Sequence, residues 1–190
     1  MFDRIGVEIE MDRVGVNDKG SIYDAVQYLY SKNLKKIGLV CALGDIGLGQ
    51  ERIEGYTRAC KELGLPIDED YLVVSKDIET VKSKLSHLLE TREVEALIGL
   101  DFVSTLLTSR TIQQHKLNIP EDIKMIGYVN EDFASFLYPS ISYVDQHPVQ
   151  MGETAATMVI NRIKKYSQKT PVKNIIKTEL KHLDSTQFKN

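Results

Sequence analysis

Lys36-Ile37-Gly38-Leu39-Val40-Cys41-Ala42-Leu43 decides the fold. After Lys36 the run is nearly continuous hydrophobe, the pattern of a strand buried on both faces of a parallel sheet. Tyr71–Val74, Ala96–Leu100 and Lys124–Val129 repeat that character. Between these runs the apolar residues change period. Ile22, Ala25, Val26, Leu29 and Tyr30 follow helical spacing, as do Ile53, Tyr56, Ala59, Cys60 and Leu63, with Gly64 as a stop. Val81, Leu85, Leu88 and Leu89 form a third stripe. Val103, Leu106 and Leu107 form a fourth, opened by Asp101 or Ser104 as N-cap. Alternating strands and helices of this kind predict an α/β fold built on a parallel sheet.

The two ends read differently. Phe2–Ile5 and Arg13–Val16 are short strand-like pieces with no helix between them. An irregular stretch follows Asn130, then a strand at Ser142–Asp145. Pro148 opens a long helix whose buried face is expected to hold Val149, Gly152, Ala155, Ala156, Val159 and Ile163. Asn174–Leu183 alternates and predicts a final strand.

Composition narrows the function. Of 190 residues, 24 are Lys or Arg and 27 are Asp or Glu, a net charge of −3 that argues against a phosphate-binding surface. No apolar run is long enough to span a bilayer, and the acidic start does not read as a signal peptide, so a reducing cytoplasm is expected. Two cysteines, Cys41 and Cys60, make neither a disulfide framework nor a metal pair. His87, His115, His147 and His182 lack metal-ligand spacing, and no catalytic constellation assembles; no cofactor is expected. Gly44-Asp45-Ile46-Gly47-Leu48-Gly49 joins a strand to a helix, but its glycine spacing is not that of a dinucleotide or phosphate loop.

Eight motifs in register carry a family resemblance. They are Asp18-Lys19-Gly20-Ser21 with Asp24-Ala25-Val26, Leu34–Gly38, Glu51–Tyr56, Gly64-Leu65-Pro66, Leu117–Ile123, Ile126-Gly127-Tyr128, Pro139-Ser140-Ile141 running into Val144-Asp145-Gln146, and Met151-Gly152 with Ala155-Ala156. From Phe2 to Thr186 the chain resembles the effector-binding domain of LacI/GalR-type bacterial transcriptional regulators. The resemblance implies a periplasmic-binding-protein-like type I fold with a complete C-terminal lobe (17–145 and 178–190) and a remnant of the N-terminal lobe (1–16 and 146–177). It implies a homodimer, a small-molecule effector in the cleft between lobes, and operator DNA bound only through a headpiece that this chain is expected to lack. A solute-binding protein of the same fold, serving ABC-type uptake, is the alternative.

The resemblance also implies the site. Arg52 matches the ligand-binding arginine of the family. Read from the residues alone, it lies in the first turn of its helix, where a cation is unfavourable, and either pairs with Glu51 or Asp45 or grips a ligand. Asp101 and Asn130 stand at strand ends. Gln146 matches a position that reaches the ligand, or else satisfies crossover backbone. Asp3 matches a carboxylate of the N-terminal lobe. Leu48, Leu100 and Val129 replace polar residues common in sugar-sensing members, which disfavours a fully hydroxylated sugar.

Overall fold

A computed structural model describes residues 1–2, 10–44, 47–91, 93–164 and 170–188. The chain runs β1 (Arg13–Val16), α1 (Asp18–Ser31), β2 (Ile37–Cys41), α2 (Gly47–Leu63), β3 (Leu72–Val74), α3 (Ile78–Thr91), β4 (Ala96–Gly99) and α4 (Phe102–Gln114). It continues through β5 (Lys124–Gly127), α5 (Glu131–Phe136), β6 (Ser142–Asp145), α6 (Pro148–Ile163), β7 (Lys173–Ile176) and β8 (Glu179–Lys181).

Six strands form one sheet in the order β3-β2-β4-β5-β6-β8, and β1 with β7 forms a second, parallel one. The first five of the six are parallel; β8 closes the edge antiparallel to β6. All five residues of β2 are buried. Ile37, Leu39 and Cys41 face Ile22, Val26, Leu29, Tyr56 and Ala59 of α1 and α2, whereas Val40 faces the side of Val81, Leu85 and Leu88 of α3 and Ile112 of α4. The period of two thus splits one apolar run between two helix layers.

The buried face of α4 differs from the expected stripe. It carries Ser104, Thr105, Thr108, Ser109, Thr111 and Ile112, while Phe102 and Val103 stay 39% and 41% exposed. Proximity explains this. A Cβ on Gly99 would lie 2.8 Å from the Thr105 Cα, and one on Gly127 would lie 2.9 Å from its Oγ1. The helix backbone rests on the sheet, where only small side chains fit. Their hydroxyls are satisfied locally: Thr105 Oγ1 donates to the Asp101 carbonyl (2.8 Å) and accepts from Tyr128 N (3.0 Å).

Three further expectations need correction. The stretch after Asn130 is helical, because Asn130 caps α5 through Phe133 N (3.0 Å) and Glu131 and Asp132 occupy its first turn. The tail is two strands in separate sheets, β7 beside β1 and β8 beside β6. On α6 only Met151 is buried, packing with Val14, Val16 and Ile176; Val149 and Ile163 are 74% and 75% exposed. A two-stranded sheet offers too little surface to cover a four-turn helix. Asp12 fastens this small unit: it receives both Nε (2.6 Å) and Nη2 (2.5 Å) of Arg162 and the Val172 N–H (2.8 Å). No helix among the described residues is long and apolar enough to cross a membrane.

Candidate functional site

Ligands of open parallel sheets bind beyond the carboxyl ends of the strands. Here strand order reverses between β2 and β4. At that point Asp101 caps α4 by accepting from Ser104 N (2.9 Å), bonds the Ser104 hydroxyl, and receives Ala42 N (3.3 Å), which also bonds Ser104 Oγ (2.8 Å). Asp101 therefore stitches the end of β2 to the start of α4.

A cavity of about 900 Å³ opens beside this point, past the ends of β5 and β6. Tyr128, Val129 and Asn130 form one wall, Asp145, Gln146 and His147 another, and Phe102 and Phe133 a third. The two Phe rings meet edge to face at 4.7 Å, a favoured aromatic geometry. His147 has left-handed backbone (φ 50°), uncommon for a side-chain-bearing residue. Asp145 anchors it by accepting from its N–H (2.8 Å), with the ring Nδ1 at 3.2 Å. Glu131, Asp132 and Glu153 complete the acidic part of the lining, which contains no Lys or Arg among the described residues.

Arg52 does not line this cavity but lies against Tyr128, which does. It is 5% exposed and lies in the second turn of α2, not at the helix start. Its Nε and Nη2 each approach Asp18 Oδ1 at 2.6 Å, and Nη1 donates to the Leu100 carbonyl. Its guanidinium lies 4.0 Å from the centroid of the Tyr128 ring, within cation–π range. Among the described residues the partner is Asp18, 3% exposed at the first position of α1, rather than Glu51; Asp45 lies outside the described residues. Gly55 permits the pairing, because a side chain there would strike the Lys19 carbonyl and hold α2 away from α1. Burial pushes the Tyr128 phenol up to about 12, partly opposed by Arg52 beside it, and its hydroxyl bonds Ser21.

The sequence-derived residues therefore separate. Asn130 and Gln146 line the cavity, Asp101 and Arg52 are held in structural bonds outside its lining, and Asp3 lies outside the described residues. Val129 lines the cavity as expected of an apolar replacement, Leu100 is fully buried, and Leu48 lines a separate cavity of about 360 Å³ with Asp18. Phe102, Phe133, Asp145 and Glu153 were not legible as site residues. A capping signal at Asn130 followed by two acids would have located the Phe133 helix; nothing local pairs Phe133 with Phe102. Among the described residues no His, Cys, Asp and Glu group is arranged to hold a metal.

The chain matches the family described as "periplasmic binding protein-like domain" over residues 26–186. It is 28% identical over 175 residues to the HTH-type transcriptional regulator MalR of Clostridium butyricum, covering 90% of this chain and 51% of that protein. It spans about half the length of the curated relatives it matches. Among solved structures, a transcriptional regulator CelR–cellobiose complex superposes with a TM-score of 0.84 at 24% identity, covering 96% of this chain and 57% of that one. A LacI family regulator from Enterococcus faecium with bound ribose gives 0.80 at 23% identity, covering 92% and 65%. The chain belongs to the periplasmic binding protein-like domain family, and it shares its fold with solved regulators of the LacI family.

Proposed function

We propose that the cavity past β5 and β6 takes a sugar or sugar derivative as effector, and that its occupancy alters DNA binding by a headpiece in a cytoplasmic regulator. The observation that carries this reading is the cavity itself. Its volume of about 900 Å³ suits a small ligand, and it lies at strand carboxyl ends beside the crossover from β6 to α6. Apolar and aromatic walls offer faces to sugar rings, and Asn130 and Gln146 offer amides to hydroxyls. Cellobiose and ribose in the two structural neighbours support the ligand class. Under this reading Arg52 and Asp101 act by shaping the wall, and the two sheets belong to two lobes, 17–145 with 178–190 and 1–16 with 146–177. A ligand that bridges them shifts the balance between open and closed forms.

Dimerisation is assigned to the outer face of α4, where Phe102, Val103, Leu106 and Leu107 remain at least partly exposed. Calorimetric titration of the domain with ribose and cellobiose tests the ligand class, with Gln146→Ala as the control that weakens binding. Heat from neither sugar, nor from related mono- and disaccharides, would refute it. Sedimentation of a strict monomer at high micromolar concentration would refute the dimer.

A further inference from the structure

We infer that Asp18 sets the charge preference of the cleft, turning it away from anionic ligands and toward cationic sugars, the amino sugars being the class it fits. The inference rests on the cavity past β5 and β6 being the effector site. Tyr128 forms part of its wall, and the guanidinium of Arg52, itself outside the lining, lies 4.0 Å from the centroid of that ring. Left unpaired in so dry a place, that charge would make the wall attractive to anions. Asp18 prevents this. Its Oδ1 is 2.6 Å from both Nε and Nη2, and the two side chains are buried together, so water neither screens the pair nor competes with it.

With Arg52 neutralised, the charge facing the cavity comes from its lining, and the lining is acidic. Asp145 is engaged with His147, whereas Glu131, Asp132 and Glu153 have no ion-pair partner among the described residues. Glu131 and Asp132 also suit the N-terminus of α5. That role does not remove their negative field from the cavity. The edge-to-face Phe102 and Phe133 rings add surfaces that receive sugar C–H groups and attract an ammonium. A uronate would meet the like charge of Glu131, Asp132 and Glu153; an amine would meet carboxylates and aromatic faces.

The test uses one ring in three charge states. The domain is titrated calorimetrically with glucosamine, glucose and glucuronate, and with the matching galactose series, below the pKa of the amines. The expected order is amine over parent by at least about tenfold, with the uronate no tighter than the parent. A uronate bound more tightly than its parent, or equal affinity across a series, overturns the inference and leaves the cleft reading standing. No binding in either series overturns both. Asp18→Asn, which keeps an acceptor for Arg52 but removes the compensating charge, is expected to improve uronate affinity by about tenfold. A folded Asp18→Asn domain with unchanged uronate affinity overturns the role of Asp18. If that variant does not fold, Asp18→Asn combined with Arg52→Met, which removes both charges of the pair, is expected to keep the wild-type order, and loss of that order overturns the inference.

Discussion

Replacing Arg52 by Met isolates what the buried pair contributes to the fold. Methionine keeps much of the apolar stem and removes the guanidinium. Asp18, 3% exposed, then loses the guanidinium that its Oδ1 faces, and breaking a buried pair in this way destabilises proteins by about 3–5 kcal/mol. The Leu100 carbonyl loses a donor and the Tyr128 face loses its cation. These losses overlap and do not add in full, so a total of about 4 kcal/mol is expected. For a chain of this size that corresponds to a fall in Tm of roughly 8–16 °C, at about 2–4 °C per kcal/mol. Urea unfolding of the wild type, Arg52→Met, Asp18→Asn and the double variant closes a cycle. The double variant should recover about 2 kcal/mol relative to the sum of the singles, because both charges of the pair are then removed together. A single-variant loss under about 1 kcal/mol, the range of exposed ion pairs, would show that the pair is not buried as described.

Gly99→Ala should destabilise by about 1–3 kcal/mol, since its Cβ would fall 2.8 Å from the Thr105 backbone, whereas Gly152→Ala in open space on α6 should stabilise by about 0.5–1 kcal/mol; chemical denaturation of both checks the contrast. The Arg162 guanidinium, with the Val172 N–H, holds the Asp12 carboxyl at about 2, below its ordinary 3.8. Because the folded value is the lower one, this contribution is complete above the unfolded value and lost as pH falls from about 3.8 toward 2. Asp12→Asn should remove that part of the acid limb in pH-dependent unfolding. Burial, with Lys32 nearby, lowers the His182 imidazole, whose ring meets that of Tyr28 at 4.3 Å, tilted by 40°. An NMR titration should place its midpoint below 6.5, and a midpoint above that value would contradict the packing.

The local pattern of the chain was enough to reveal an α/β fold, its buried central strands and three of its helical stripes. Ile37–Cys41 reads as doubly buried because each residue in turn is apolar, and α1 to α3 read as amphipathic because their apolar residues recur at the helical period. Those signals lie within one element. The buried face of α4 is not of that kind: a stripe of Ser and Thr reads as solvent-facing until Gly99 and Gly127 are seen to bring the sheet against it. The split of the tail between two sheets is likewise decided by β1 and β6, far away in the chain.

The site divides in the same way. Strand-end position marked Asn130 and the family resemblance marked Gln146, and both line the cavity. The partner of Arg52 was not legible, because Asp18 precedes it by 34 residues and becomes its neighbour only when Gly55 lets two helices close. Phe102 and Phe133 meet only across the ends of α4 and α5. Hydrophobic period is written into neighbouring residues and survives without a fold. Which charge cancels which, and which rings face one hollow, depends on distances that exist only once the helices have packed on the sheet.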